Sequence, residues 1–276
     1  MMAWLKNFRW YDLPNYLLNQ VTVGDYASCH ADISYAALAR QKLDVYVPKQ
    51  PRADRSMILF SHGGRWQYGQ KEDYIFLAQN LAKQGFYVAV MNYQLAPEQM
   101  YPRFVEDTIL AINWLAEPQQ ANHYGYSAEH LVLMGHSAGA FNVMAALYHG
   151  DDVQYKIQNL QGIRAVIGFA GPYSFEHRGD AVAKDAFAQD VAPEYIMPSF
   201  FTFHNQVHHL LLVAGKDTLV GDENSEKMQQ ALIAVNNHVE LVRIRGTSHV
   251  SIIASLAQGL DRLFMTKKVM LNFLAR

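Results

Sequence analysis

Short apolar stretches alternate with longer amphipathic stretches from residue 40 onward. A short, continuously apolar stretch is typical of a strand buried on both faces, and a longer stretch with one apolar face is typical of a helix. The predicted strands are residues 43–47, 57–61, 86–92, 130–135, 165–170, 210–214 and 239–244. The predicted helices are residues 73–84, 105–115, 138–149 and 223–235. This alternation predicts an α/β fold with a mostly parallel central sheet that is flanked by helices.

Two stretches rich in aromatic residues fall outside the alternation. The first lies in an N-terminal segment, residues 1–39. The second, residues 172–206, is longer than the roughly 15 residues of an ordinary loop, so it predicts a small cap insertion over the carboxyl edge of the sheet. Because no repeat and no linker divides the chain, we expect residues 1–276 to form a single domain.

Charge and cysteine content narrow the class of protein. The formal net charge is −2, so the chain offers no basic surface for nucleic acid or for an anionic membrane. No apolar stretch approaches the roughly 18 residues of a membrane-spanning helix, and Lys6, Arg9 and Asp12 interrupt any signal-peptide core. The single cysteine, Cys29, fits a reducing compartment. We therefore expect a cytoplasmic protein with no nucleic-acid or membrane partner.

A Gly-His-Ser-Ala-Gly sequence at residues 135–139 joins a predicted strand to a predicted helix. In this G-x-S-x-G pattern the serine sits on a sharp turn, and glycines on both sides remove side chains that would obstruct that turn. Such a turn presents the serine hydroxyl at the carboxyl edge of the sheet. The pattern therefore predicts that Ser137 is a nucleophile.

A serine nucleophile needs a base, and the base needs a carboxylate that orients it. Asp217 and His249 each follow a predicted strand directly, so both are expected at the edge of the sheet where Ser137 lies. Asp222 and Glu223 are alternative acids, although carboxylates at the start of a predicted helix are usually capping residues. We predict that His249 is the base and Asp217 the orienting acid.

A tandem pair, His208 and His209, is the alternative to His249. The pair precedes the predicted strand 210–214, which would place it at the opposite edge of a parallel sheet from the serine. A structural role is therefore predicted for both. Since no further ligands follow at a suitable spacing, the sequence predicts no metal ion, and it indicates no cofactor.

A glycine turn follows the predicted strand 57–61 and reads Ser-His-Gly-Gly-Arg-Trp. The tetrahedral intermediate of acyl transfer carries a negative oxygen that backbone N–H groups stabilise. We predict that the N–H groups of Gly64, Arg65 and Ala138 form this oxyanion hole. The side chain of Arg65 is predicted either to enter the pocket and attract a substrate carboxylate, or to lie solvated along the surface.

Aromatic side chains near the turn and in the predicted cap are candidates for a substrate pocket, and equally for the core. The candidates are Trp66, Tyr173 and Phe175, together with Tyr68, Phe200, Phe201 and Phe203.

Six motifs occur in order along the chain: HGGRW, NYQLAPE, YPRFVEDTILAINWL, YGYSAEHLVLMGHSAGA, GKDTLV and GTSH. Together they resemble the α/β-hydrolase esterase/lipase superfamily, and more narrowly its small carboxylesterases and kynurenine-formamidase-like members. The resemblance implies an α/β-hydrolase fold, the triad Ser137, Asp217 and His249, and the oxyanion hole already described. Many members have a third glycine where this chain has Arg65. The short N-terminal region leaves little chain for a large helical cap, so a modest, open pocket is expected.

The predicted function is that of a serine carboxylesterase that cleaves small, short-acyl esters through an acyl-enzyme intermediate. The alternatives are an arylformamidase and, from another class, a non-catalytic binding module on the same scaffold. A binding module predicts that a triad residue is missing, and none is missing here. The expected partner is a small-molecule ester or aryl formamide.

Overall fold

An eight-stranded sheet runs through the part of the chain that the computed structural model describes, residues 17–20, 22 and 24–276. The strands are β1 (Tyr26–Ser34), β2 (Lys42–Pro48), β3 (Met57–Ser61), β4 (Tyr87–Met91), β5 (Leu131–His136), β6 (Ile163–Phe169), β7 (His208–Ala214) and β8 (Val239–Ile244). Their order across the sheet is β1-β2-β4-β3-β5-β6-β7-β8. The pairs β1–β2 and β2–β4 are antiparallel, and all other neighbours are parallel. The mostly parallel sheet predicted from the sequence is confirmed.

Helices pack on both faces of the sheet. They are α1 (Ile75–Lys83), α2 (Arg103–Ala116), α3 (Pro118–Tyr124), α4 (Ala138–Leu147), α5 (Glu223–Ala234), α6 (Ser251–Ala254) and α7 (Thr266–Leu274). One apolar cluster contains residues of α2, α4 and α5, and a second, on the other face, contains residues of α1, α6 and α7. No helix among these described residues is both long enough and apolar enough to span a membrane.

Strand β3 illustrates why the central strands are continuously apolar. Its alternate residues enter different clusters: Met57 and Leu59 pack on one face, and Ile58 and Phe60 on the other. All five residues of the strand are buried. Because both faces are covered, neither face needs polar side chains, and this explains why the sequence predicts the strand without error.

Strand β1 was not predicted, because most of its residues are exposed and its sequence is polar. It is held at the edge of the sheet by pairing with β2 and by a buried lysine. The Lys71 ammonium group lies 2.9 Å from Asp32 on β1 and 2.7 Å from Asp44 on β2. Residues 1–16, 21 and 23 of the predicted N-terminal segment lie outside the described residues.

Several predicted boundaries shift in the structure. The predicted helix 73–84 divides into a 3-10 turn, Lys71–Tyr74, and α1. The predicted helix 138–149 ends at Leu147. Helices α3, α6 and α7 lie where the sequence predicted none. In residues 172–206 the regular structure consists of two 3-10 turns, Pro193–Tyr195 and Pro198–Phe200.

Candidate active site

The serine elbow lies where β5 passes into α4. Ser137 has a left-handed backbone with φ 54° and ψ −121°, a conformation that costs a non-glycine residue about 1–3 kcal/mol. A Cβ atom at Gly135 would overlap the carbonyl group of Gly139, and one at Gly139 would overlap the carbonyl group of Ser61. Both glycines are therefore needed for the helix to approach the strands closely enough to form this turn.

Ser137, His249 and Asp217 form one hydrogen-bonded line. The Ser137 Oγ atom lies 2.9 Å from His249 Nε2, and His249 Nδ1 lies 2.8 Å from Asp217 Oδ2. The carboxylate can only accept, so Nδ1 carries the proton in neutral imidazole and Nε2 faces the serine hydroxyl as an acceptor. The structure thus brings together the three residues that the sequence predicted, each in a loop at the carboxyl end of a strand.

The Asp217 carboxylate is fixed on its other side by the loop that follows it. Its Oδ1 atom accepts hydrogen bonds from the N–H groups of Leu219 and Val220 at 2.9 and 3.0 Å. Burial by itself raises the pKa of Asp217, but the hydrogen bond and charge of His249, together with these N–H groups, outweigh burial and lower the pKa below its ordinary value. The carboxylate is consequently ionised at neutral pH.

The alternative acids have other contacts. Asp222 is the N-cap residue of α5, and its carboxylate pairs with the guanidinium group of Arg243. Glu223 is the first residue of α5 and lines a cavity beside the serine. The Nδ1–H group of His249 donates its hydrogen bond to Asp217 instead.

The histidine pair at 208–209 lies at the opposite edge of the sheet from the triad. The prediction that the pair precedes its strand was wrong, because His208 and His209 are the first two residues of β7. His209 is fully buried; its Nδ1–H donates to the carbonyl oxygen of His238 at 3.0 Å, and the hydroxyl group of Tyr148 lies 2.9 Å from its Nε2. Among the described residues, no group of three or more His, Cys, Asp or Glu side chains forms an arrangement for a metal ion.

The predicted oxyanion turn lies against the elbow. A Cβ atom at Gly63 would come within 3.2 Å of Ser137 Cβ. The next residues have positive φ angles, 134° at Gly64 and 57° at Arg65, so the chain reverses there. In the part of the chain that the structure describes, the N–H groups of Gly64, Arg65 and Ala138 donate to no other group. Three donors are therefore free for a ligand oxygen.

Trp66 holds this turn in place. Its indole N–H donates to Asn142 Oδ1 of α4 at 3.0 Å, and its ring packs edge-on against Phe141 and Phe187. Only 3% of the residue is exposed. The glycine turn and the helix that follows the serine are thereby fastened to each other.

Two chambers meet at the serine. The cap chamber, of about 270 Å³, is lined on one side by residues of the 172–206 segment. The turn chamber, of about 250 Å³, is lined by residues of the glycine turn and of the α6 region: Gly63, Gly64, Arg65, Tyr68, Gly69, Val250 and Ile253. Both are lined by Arg65, Ser137, Leu219 and His249. A bond placed at the serine would thus have one part of the substrate in each chamber.

The predicted pocket aromatics divide between pocket and core. Trp66 and Phe175 line the cap chamber, and Tyr68 lines the turn chamber. The prediction for Tyr173 was wrong: its side chain is fully buried and lines neither chamber, because the ring packs against Gly168 and Gly171. Three other candidates also line neither chamber: Phe200, Phe201 and Phe203.

A family model named BD-FAE matches residues 43–232, which is more than half of the chain and includes both the serine elbow and Asp217. The chain belongs to the BD-FAE family.

Among curated proteins, this BD-FAE member is 29% identical over 155 residues to a probable isoprenylcysteine alpha-carbonyl methylesterase of Oryza sativa subsp. japonica; the match covers 54% of this chain and 36% of that protein. It is 25% identical over 251 residues to the kynurenine formamidase of Danio rerio, covering 89% of this chain and 82% of that one.

Solved structures agree on the fold of the BD-FAE member. A hyperthermophilic esterase from the archaeon Pyrobaculum calidifontis superposes with a TM-score of 0.77 at 18% identity, covering 95% of this chain and 90% of that one. The predicted α/β-hydrolase fold is confirmed. This BD-FAE member therefore has the α/β-hydrolase fold.

One residue of the candidate active site, His136, was not predicted from the sequence to have a role. His136 precedes the serine, is 6% exposed, and its ring centroid lies 5.0 Å from that of His249. Its position inside the G-x-S-x-G pattern, at the buried end of a strand, was the available signal.

Proposed function

We propose that this chain is a serine carboxylesterase that cleaves small, short-acyl esters through an acyl-enzyme intermediate. The observation that carries the proposal is the line of hydrogen bonds from Ser137 through His249 to Asp217, at 2.9 and 2.8 Å. A nucleophile, a base within hydrogen-bond reach and a carboxylate that orients the base are the parts that covalent acyl transfer needs.

In the first half of the reaction, Ser137 Oγ attacks the carbonyl carbon of the ester while its proton passes to His249 Nε2. The electron pair of the C=O bond moves onto the carbonyl oxygen. The N–H groups of Gly64, Arg65 and Ala138 are the donors for that negative oxygen. The lowered pKa of Asp217 keeps the carboxylate ionised, so it stabilises the imidazolium that has formed.

To complete the first half, the imidazolium of His249 donates its proton to the leaving oxygen. The electron pair on the negative oxygen re-forms the C=O bond as the ester C–O bond breaks, and the acyl group stays on Ser137. In the second half, a water molecule gives a proton to His249 Nε2 and attacks the acyl carbon, and the C=O pair moves onto the carbonyl oxygen again. When that pair returns, the bond between the acyl carbon and Ser137 Oγ breaks, the serine oxygen takes the proton from the imidazolium, and the carboxylic acid departs.

The substrate class follows from the two chambers. At about 270 and 250 Å³, each is smaller than the roughly 300–1,000 Å³ pockets that hold drug-sized ligands. With the scissile bond at Ser137, the acyl part occupies one chamber and the leaving group the other. Residues of the 172–206 segment, among them Pro172, Phe175 and Val182, form a wall of the cap chamber; we propose that this segment roofs the site.

For p-nitrophenyl esters of increasing acyl length, kcat/KM is expected to peak between acetyl and hexanoyl and to decline at dodecanoyl. Each added methylene gains up to about 0.8 kcal/mol while it is buried, and a chain that outgrows its chamber gains nothing further. Initial rates across the series measure this. Preference for long-chain triglyceride emulsions, or no hydrolysis of any ester by folded protein, would contradict the proposal.

Hydrolysis of an aryl formamide is the second candidate, because the kynurenine formamidase of Danio rerio matches over most of both chains. A formyl group is the smallest acyl group, so it fits either chamber. N-formylkynurenine assayed beside the ester series separates the two candidates. A kcat/KM on the formamide more than tenfold above that on the best ester would favour the second.

Arg65 provides a test of charge selectivity. Its side chain is exposed, lines both chambers and forms no ion pair with any described residue. Arg65→Gln removes the charge but keeps the backbone N–H group. We compare kcat/KM for a hemisuccinate ester with kcat/KM for a neutral ester of equal length. Arg65→Gln is expected to lower the ratio of these two values by at most about fivefold, since an exposed ion pair contributes up to ~1 kcal/mol. An unchanged ratio would mean that the guanidinium group lies in solvent.

A further inference from the structure

His136 joins the three loops of the site through its ring. The ring Nε2 atom lies 2.8 Å from the main-chain oxygen of His249, and Nδ1 lies 3.4 Å from the hydroxyl oxygen of Tyr74. That hydroxyl oxygen in turn accepts a hydrogen bond from the N–H group of Gly63 at 3.3 Å. One buried chain of hydrogen bonds therefore runs from the glycine turn, past the serine elbow, to the loop of the base.

The partners determine the tautomer of this ring. A main-chain oxygen only accepts, so His136 Nε2 carries the proton and donates it, and Nδ1 accepts from the hydroxyl group of Tyr74. Burial, and after it the neighbouring His249, lower the pKa of His136 to about 3, so the ring is neutral. Both ring nitrogens are used in these contacts, and neither serves as a base for Ser137.

The ring also has a steric role. A Cβ atom at Gly63 would lie 2.9 Å from His136 Nδ1, which means that the backbone of the glycine turn rests directly on the imidazole. A displacement of this ring would therefore move the turn together with the base loop.

We propose that His136 is a positioning residue that holds the His249 loop and the Gly63–Arg65 turn at fixed places relative to Ser137. The inference rests on the proposed function, because it concerns the geometry of that same triad. The Nε2–H group of His136 donates to the main-chain oxygen of His249 and so keeps the base aligned with the serine. The contact of the His136 ring with Gly63 keeps the oxyanion donors aligned with the acyl carbon.

The test compares two substitutions of similar size. Gln keeps a side-chain N–H donor and an acceptor, whereas Leu keeps neither. Since a misplacement of about 1 Å costs on the order of 10²-fold in rate, His136→Leu is expected to lower kcat for p-nitrophenyl acetate by about that factor, with KM changed less than twofold. His136→Gln is expected to recover at least tenfold of the lost kcat.

A buried histidine at the other edge of the sheet supplies the matched control. His209→Leu also removes a buried, hydrogen-bonded imidazole, so it is expected to lower the melting temperature and leave kcat within about twofold when assayed well below that temperature. If His136→Leu does not fold, Tyr74→Phe removes the link to Gly63 and is expected to lower kcat with little change in KM.

The outcomes separate this inference from the proposed function. If the wild-type protein hydrolyses esters and reacts at Ser137 while His136→Leu retains full kcat, the positioning role is wrong and the esterase assignment stands. Equal loss of kcat in the Gln and Leu variants, or a loss matched by His209→Leu, would also overturn the positioning role. A wild-type protein with no hydrolysis and no reaction at Ser137 would overturn the proposed function itself.

Discussion

Replacing Ser137 with alanine is expected to lower kcat for a short p-nitrophenyl ester by on the order of 10⁶-fold. The substitution removes the oxygen that attacks the acyl carbon but keeps the Cβ atom, so the backbone of the elbow is unchanged. The two chambers and the N–H donors of the glycine turn remain, and a small residual rate above that of water is expected from them. Initial rates at saturating ester concentration measure the loss.

Covalent labelling supplies the control for this variant. An organophosphate or a sulfonyl fluoride is expected to modify the wild-type protein at Ser137, since an activated serine reacts and an ordinary serine does not. Mass spectrometry of the digested protein locates the modification. Labelling that persists in Ser137→Ala, or that is absent from folded wild-type protein, would show that the nucleophile lies elsewhere.

Asp217→Asn is expected to lower kcat by on the order of 10⁴-fold with the fold intact. The asparagine amide can donate a hydrogen bond to Nδ1 of His249, and this favours the tautomer in which Nε2 carries the proton. A protonated Nε2 cannot accept the proton of the serine hydroxyl. Asp222→Asn is the matched control: it removes a carboxylate five residues away that pairs with Arg243, and kcat is expected to change little. The reverse ranking of the two variants would assign the acid to Asp222.

The central strands were predictable from sequence because burial on both faces leaves a continuously apolar pattern. Strands β3 and β8 begin and end where the sequence predicts, and the other five predicted strands shift by one or two residues. Strand β1 lacked this signal, since it is stabilised by pairing with β2 and by the ion pair of Asp32 with Lys71. The ion pair joins residues that are distant in sequence, and local hydrophobicity records neither this ion pair nor the pairing of the two strands.

The triad was predictable for a related reason: each of its residues follows a strand, and in a parallel sheet these strand ends share one edge. The aromatic residues of the 172–206 segment carried no comparable signal. Phe175 and Tyr173 lie two residues apart in the same loop, yet the first lines the cap chamber and the second is in the core. In irregular chain no periodicity tells the two environments apart. The contact of His136 with the His249 oxygen spans 113 residues and follows only from the folded structure.

The left-handed backbone at Ser137 has an evolutionary consequence. Any side chain at this position carries the strain of the elbow, whereas glycine would adopt the same φ and ψ with little cost. Under the proposed function, selection for a nucleophile and selection for a stable fold therefore oppose each other at this residue. A lineage released from selection for hydrolysis would keep its sheet and helices intact while exchanging the serine. Descendants that have lost the reaction are thus expected to remain well-folded proteins, available for roles in binding.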